Sequence, residues 1–215
     1  MKNGLDLVYP PSIYCMCCGN IIDETRTYCL CDHCMEHIRW NNGENSTEDF
    51  FTCSEYGLYE RMIIFALKYN KKTYIARIIA EIMGDRLELE NIEYDCIVPV
   101  PMFKKKQRKR GFNHAELITK YLSKLVGVPS LPKSMDRIKD TKPMRGLNPL
   151  ERKQNVKNMF IVSPKWCRML EGKRVLLVDD IYTTGSTARE CISALNKAGV
   201  KKVYFISFAA GRDDF

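Results

Sequence analysis

The sequence predicts an α/β fold, a mainly parallel sheet with helices on both faces, preceded by a small N-terminal zinc-binding module. Three observations carry this reading. Apolar runs of strand length alternate with helical periodicities through the body of the chain, a hydroxyl-rich turn joins one of those runs to a helix, and two Cys-x2-Cys pairs crowd the head. With 215 residues the chain accommodates one ordinary domain, of about 100 to 200 residues, and a short appendage. The expected division is 1–50 for the zinc module and linker and 51–215 for the body.

In chain order the head comes first. Cys15-x2-Cys18 and Cys31-x2-Cys34, with twelve residues between the pairs, supply four thiolates, the donor set of a closed tetrahedral structural zinc site. So short a segment has little apolar surface to bury, and metal binding, which contributes on the order of 10 kcal/mol to such modules, is expected to hold it together. Gly19 suits the tight turn after the first pair. Cys17, Cys29 and His33 stand beside these residues and leave open whether one of them replaces a ligand. Cys53, Cys96, Cys167 and Cys191 stand singly among apolar residues and read as core. The opening MKNGLDLVYPPSIYC has a lone lysine and no apolar run, so it does not read as a secretory signal, and a cytoplasmic location is expected. Ten cysteines in that compartment point to metal ligation rather than to disulfides. No stretch approaches the roughly 18 to 20 apolar residues of a membrane helix, so no membrane insertion is expected.

A polar stretch, NNGENSTEDF from Asn41 to Phe50, separates the head from the body, which is read from about Ser54. GLYERMIIFALKYN and then Ile75, Ile78, Ile79 and Ile82 read as two helices broken near Asn70 to Thr73. Asp95 to Pro101, DCIVPVP, is an apolar run bounded by proline and reads as a strand buried on both faces. KKKQRKR, from Lys104 to Arg110, puts six cations in seven residues and reads as a basic loop. Ala115, Ile118, Tyr121, Leu122 and Leu125 share a helical face that ends at Gly127. Arg137 to Phe160 is polar and suits a loop that closes over a substrate. Arg174 to Val178 is a strand, Ser186 or Thr187 opens a helix with Ala188, Cys191, Ile192 and Leu195 on one face, and Val203 to Phe208 is a further strand.

The loop between that strand and that helix carries the chemistry. Unpaired amides at the helix start, with the hydroxyls of Thr183, Thr184, Ser186 and Thr187, can cradle a phosphate monoester, and Gly185 allows close approach. Asp179 and Asp180 would repel a phosphate they faced, so they are better placed to accept hydrogen bonds from sugar hydroxyls. A ribose 5-phosphate matches both halves. No GxxxxGK[ST] loop is present, which removes the nucleotide-hydrolase reading, and an acidic pair so late in the chain does not suit a phospho-acceptor domain. The net charge of +8 points to an anionic partner: a phosphorylated small molecule, nucleic acid or a lipid surface.

VLLVDDIYTTGST, from Val175 to Thr187, resembles the 5-phosphoribosyl-1-pyrophosphate (PRPP) motif of type I phosphoribosyltransferases. Together with the cysteine head, LKYNKK, VPVPMFKKKQRKRGFNHAELI and RIKDTKPMRGLNPLERKQNVKNMF, the chain resembles the ComF family of competence-associated proteins over nearly its whole length. The resemblance implies a type I phosphoribosyltransferase-like fold and assigns zinc to Cys15, Cys18, Cys31 and Cys34. It implies PRPP with Mg²⁺, with Arg110 and Gly111 at the pyrophosphate and Asp179 and Asp180 as catalytic residues if the chain is an enzyme. Within the polar loop it retains Arg137, Thr141, Leu147, Arg152, Asn155 and Phe160 and departs at Met144, where glutamine is common. The expected role is support of DNA uptake and single-stranded DNA handling, with competence-machinery proteins as further partners. Lys104, Lys105, Lys106 and Arg108 are then candidate nucleic-acid contacts, flanked by Phe103 and Phe112 as stacking aromatics. The alternative is an active phosphoribosyltransferase using a nucleobase or amine acceptor.

Overall fold

The computed structural model describes residues 13–41, 43, 49–70, 72–139 and 158–211. Its elements are α1 (Asp32–His37), β1 (Phe50–Glu55), α2 (Leu58–Tyr69), α3 (Ile75–Glu90), β2 (Cys96–Pro99), α4 (Lys104–Arg110), α5 (His114–Val126), β3 (Met135–Arg137), β4 (Phe160–Val162), α6 (Pro164–Leu170), β5 (Arg174–Tyr182), α7 (Ser186–Lys197) and β6 (Lys202–Ala210). Four strands form one sheet in the order β1-β6-β5-β2, every pairing parallel, while β3 and β4 pair antiparallel beside it.

The pleat explains why the sheet is covered twice. Leu176 and Val178 of β5, with Ile206 and Phe208 of β6, enter an apolar cluster built by α2, α3 and α5. Their alternates Val175, Leu177, Val203 and Phe205 enter a second cluster with α6, α7 and the β3–β4 pair. The continuous apolar runs of the sequence follow from burial on both sides. Helix limits follow local chemistry as well: the Asn113 side chain accepts from the Ala115 amide at 3.2 Å to start α5, and Gly127, at φ +71°, stops it.

Four features differ from the sequence reading. KKKQRKR is a helix, α4, rather than a loop, because lysine, arginine and glutamine are good helix formers and Gly111, at φ +93°, supplies the left-handed cap. The strand read as Arg174 to Val178 continues to Tyr182, because β6 pairs with it as far as Tyr182↔Ala210. Phe50–Glu55 is an edge strand that went unread, since Thr52 and Ser54 are buried polar residues. Ser54 Oγ donates to the Phe208 carbonyl at 2.9 Å, and Asn41 Nδ2 donates to Thr52 Oγ1 at 2.9 Å. The head, finally, does not stand apart: Met16, Leu30 and Ile38 are buried in the same cluster as α2 and α3, and Tyr28 donates to Asp85 of α3. Apolar burial therefore supports the head alongside any metal.

Candidate functional site

The acid pair stands on β5 just beyond its last pairing with β2, Pro99↔Val178, and both carboxylates converge on His114 of α5. Asp180 turns toward α2 and α5 and is 3% exposed. There it accepts from His114 Nε2 at 2.9 Å and pairs with Lys68. Burial alone would raise the Asp180 pKa; the adjacent His114 and Lys68 overcome it and hold the carboxyl far below the carboxylate range. Asp179 Oδ1 lies 4.0 Å from the same His114 Nε2 and accepts from the Asp180 amide at 2.9 Å, while its charge is also felt by Cys191 of α7. Burial, then the charge of Asp180, pushes the Asp179 pKa well above its ordinary value. Two adjacent acids thus have opposite electrostatics, one charge-compensated and one resisting ionisation.

Arg110, at the end of α4, sits against the far side of His114. Its Nη1 lies 3.1 Å from His114 Nδ1, and since a guanidinium only donates, Nδ1 accepts and Nε2 carries the hydrogen given to Asp180. Its Nη2 donates to the Tyr69 hydroxyl at 3.4 Å, and its guanidinium lies over the Tyr69 ring. In front opens a cavity of about 510 Å³, lined by Lys68, Tyr69, Met102, Lys106, Lys109, Arg110, His114 and Arg137, a strongly cationic wall suited to a polyanion.

The hydroxyl run continues from β5 into the start of α7. Thr184 Oγ1 and Ser186 Oγ are 2.9 Å apart, and Arg189 donates to the Thr184 carbonyl. Gly185 has φ +63°, and a Cβ there would lie 2.7 Å from Arg189 Nη1 and 2.8 Å from Tyr182 Cζ, so both conformation and space demand glycine. Thr183, Thr184, Ser186 and Thr187 flank this turn in the chain. Gly111 differs: its amide already donates to the Gln107 carbonyl at 2.7 Å, and it borders a separate cavity with Phe112 and Asn113. Its part is the left-handed cap.

Arg137 was read only as a loop residue; the structure pairs it with Phe160 across β3 and β4 and lines the cavity with it. Thr141, Met144, Leu147, Arg152 and Asn155 lie outside the described residues. Lys68, Tyr69 and His114 were missed as site residues. Their signal lay within LKYNKK and GFNHAELI, whose chemistry becomes visible only once both segments meet Asp180.

In the head, the sulfurs of Cys15, Cys18, Cys31 and Cys34 all lie within 4.8 Å of one another. Four soft donors so gathered suit a tetrahedral structural zinc. Burial opposes ionisation of Cys15, but the amides of Cys18, Cys31 and Cys17 bring its pKa to about 7. The neighbours left open in the sequence are engaged elsewhere: Cys17 donates to the Tyr59 carbonyl, with burial pushing its pKa up to about 12, and His33 Nε2 meets the Tyr59 hydroxyl at 3.0 Å. Cys29, half-buried against the core, is outside the quartet.

Residues 147–214 match the phosphoribosyl transferase domain family. The chain is similar to Competence protein F of Haemophilus influenzae, 29% identical with 86% of each chain covered. It is also similar to DNA utilization protein YhgH of Escherichia coli K12, 26% identical over 88% of this chain and 80% of that one. Competence protein ComFC of Bacillus subtilis is 29% identical over 47% of this chain and 40% of that protein.

Proposed function

Because the chain belongs to the ComF family, we propose that it binds PRPP or a related ribose phosphate at the end of β5 and supports DNA uptake and single-stranded DNA handling in natural competence. The observation that carries the ligand is the juxtaposition of Asp179 and Asp180 with the Gly185 turn on one side and the cationic cavity of Lys68, Arg110 and Arg137 on the other. In this reading the α7 amides and the hydroxyls of Thr183, Thr184, Ser186 and Thr187 hold the 5-phosphate, Asp179 meets the ribose hydroxyls, and Arg110 takes the pyrophosphate. Asp180 positions Lys68 and His114. Mg²⁺ accompanying the ligand would neutralise pyrophosphate charge. A structural zinc on Cys15, Cys18, Cys31 and Cys34 completes the proposed cofactors. The competence role draws on the relatives named for competence and DNA utilization. Among the described residues no helix is long and apolar enough to cross a membrane.

Calorimetric titration of PRPP, with and without Mg²⁺, tests the ligand. Saturable binding that falls at least about ten-fold in Arg110→Ala, the scale of a lost charge-assisted contact, is expected. Absence of binding by the folded wild type in both conditions sinks the ribose-phosphate reading.

A further inference from the structure

Helix α2 has two apolar faces. Ile63, Ile64, Ala66 and Leu67 are buried in the core, while Leu58, Met62, Phe65 and Tyr69 form a second stripe at helical spacing that stays in solvent. At the C-terminal end of that stripe two aromatic rings lie side by side: Phe65 is 53% and Tyr69 61% exposed, with centroids 4.8 Å apart and planes tilted by 36°. Arg110 lies on Tyr69, its Cζ 5.1 Å from the ring centroid, and joins the pair to α4, where Lys105, Arg108 and Lys109 are exposed. An exposed aromatic platform rimmed by cations has the chemistry of a single-stranded nucleic-acid track, in which cations follow the phosphates and bases stack on rings. A second copy of the chain is disfavoured as occupant because each brings a net charge of +8.

We propose that Phe65 and Tyr69 form the base-stacking platform of a single-stranded nucleic-acid surface whose phosphate side is α4. The stacking rings are then these two, rather than Phe103 and Phe112, which are both half-buried at the ends of α4 and form no ring pair among the described residues. The inference rests on the DNA-handling half of the reading above and places that function on one face, beside the cavity that Tyr69 helps to line.

The test is fluorescence anisotropy with labelled oligothymidylate and with an abasic oligomer of equal length, using the full chain and Phe65→Ala, with circular dichroism to verify folding. Loss of one stacked base corresponds to a weakening of roughly 5- to 150-fold for oligothymidylate. Binding of the abasic oligomer, and the slope of affinity against salt, stay as in the wild type because no phosphate contact is removed. Tyr69→Phe keeps the ring and is expected to bind oligothymidylate within about two-fold of the wild type, whereas Tyr69→Ala weakens it as Phe65→Ala does. Wild-type binding that is unchanged in both alanine variants overturns the platform while leaving the DNA reading standing. No oligomer binding by the wild type removes the DNA reading and the platform together, with PRPP calorimetry still deciding the ligand separately. A loss confined to vesicles of anionic phospholipid assigns the surface to a membrane and also overturns the proposal.

Discussion

Asp179 and Asp180 are neighbours in sequence, yet replacing each by asparagine is expected to move stability in opposite directions. Asp180 is the buried partner of Lys68 and His114, with side-chain exposures of 4%, 18% and 10%. Asp180→Asn keeps the shape but removes the charge, leaving a largely buried ammonium with only a neutral acceptor. Breaking one side of a buried pair costs about 3 to 5 kcal/mol, and the remaining amide oxygen and the partial exposure of Lys68 bring the expectation to about 2 to 3 kcal/mol. In a chain of this size that lowers the melting midpoint by about 4 to 12 °C. Asp179 has the opposite sign. Its folded pKa lies above its unfolded value, so its penalty is absent below about pH 4 and grows as pH rises toward the folded pKa. Asp179→Asn therefore melts with the wild type in acid and at or above it at neutral pH, while losing ribose-phosphate affinity if Asp179 meets the sugar. Thermal unfolding from pH 3 to 8 reads both effects, and Lys68→Met in the Asp180→Asn background should recover part of the loss. The electrostatic account is refuted if Asp180→Asn stays within about 0.5 kcal/mol of the wild type, or if Asp179→Asn is equally destabilising at neutral pH.

Two further outcomes follow from the same geometry. Gly185→Ala, forcing a side chain into φ +63° against Tyr182 and Arg189, is expected to cost about 1 to 3 kcal/mol and to abolish PRPP binding in calorimetry of the still-folded protein. Metal analysis should find one zinc per chain, and chelation, removing on the order of 10 kcal/mol from the head, should expose Met16, Leu30 and Ile38 to a hydrophobic dye while the body keeps its circular dichroism; a zinc-free folded chain would contradict this.

The sequence made legible what is local. The strand–turn–helix from Val175 into α7, the break between α2 and α3, the stop at Gly127 and the spacing of four cysteines are each set by residues close in the chain. Illegible were the features set by packing. Phe50–Glu55 hides as a strand because Thr52 and Ser54 find their hydrogen-bond partners only in the folded protein. KKKQRKR carries no apolar periodicity to mark a helix, so α4 rests on intrinsic propensity and the Gly111 cap alone. The opposite electrostatics of Asp179 and Asp180 needed the partners that folding brings to them, and Lys68 and His114 needed the register of two helices against the sheet.

That division of charge resolves the conflict of placing two carboxylates at a site for a polyanion. Lys68 and His114 occupy Asp180 from behind, so its charge is compensated within the fold, while Asp179 is driven toward its neutral form by burial and by Asp180 itself. A phosphorylated ligand therefore meets a cavity governed by Lys106, Lys109, Arg110 and Arg137 rather than by the acid pair. Arg110 reaches the same cavity from a position over the Tyr69 ring, so the proposed ligand pocket and the proposed base platform share one contact. A pyrophosphate that draws Arg110 inward would change the face that Tyr69 presents, and by thermodynamic reciprocity an oligonucleotide stacked on Tyr69 would change PRPP affinity by the same factor.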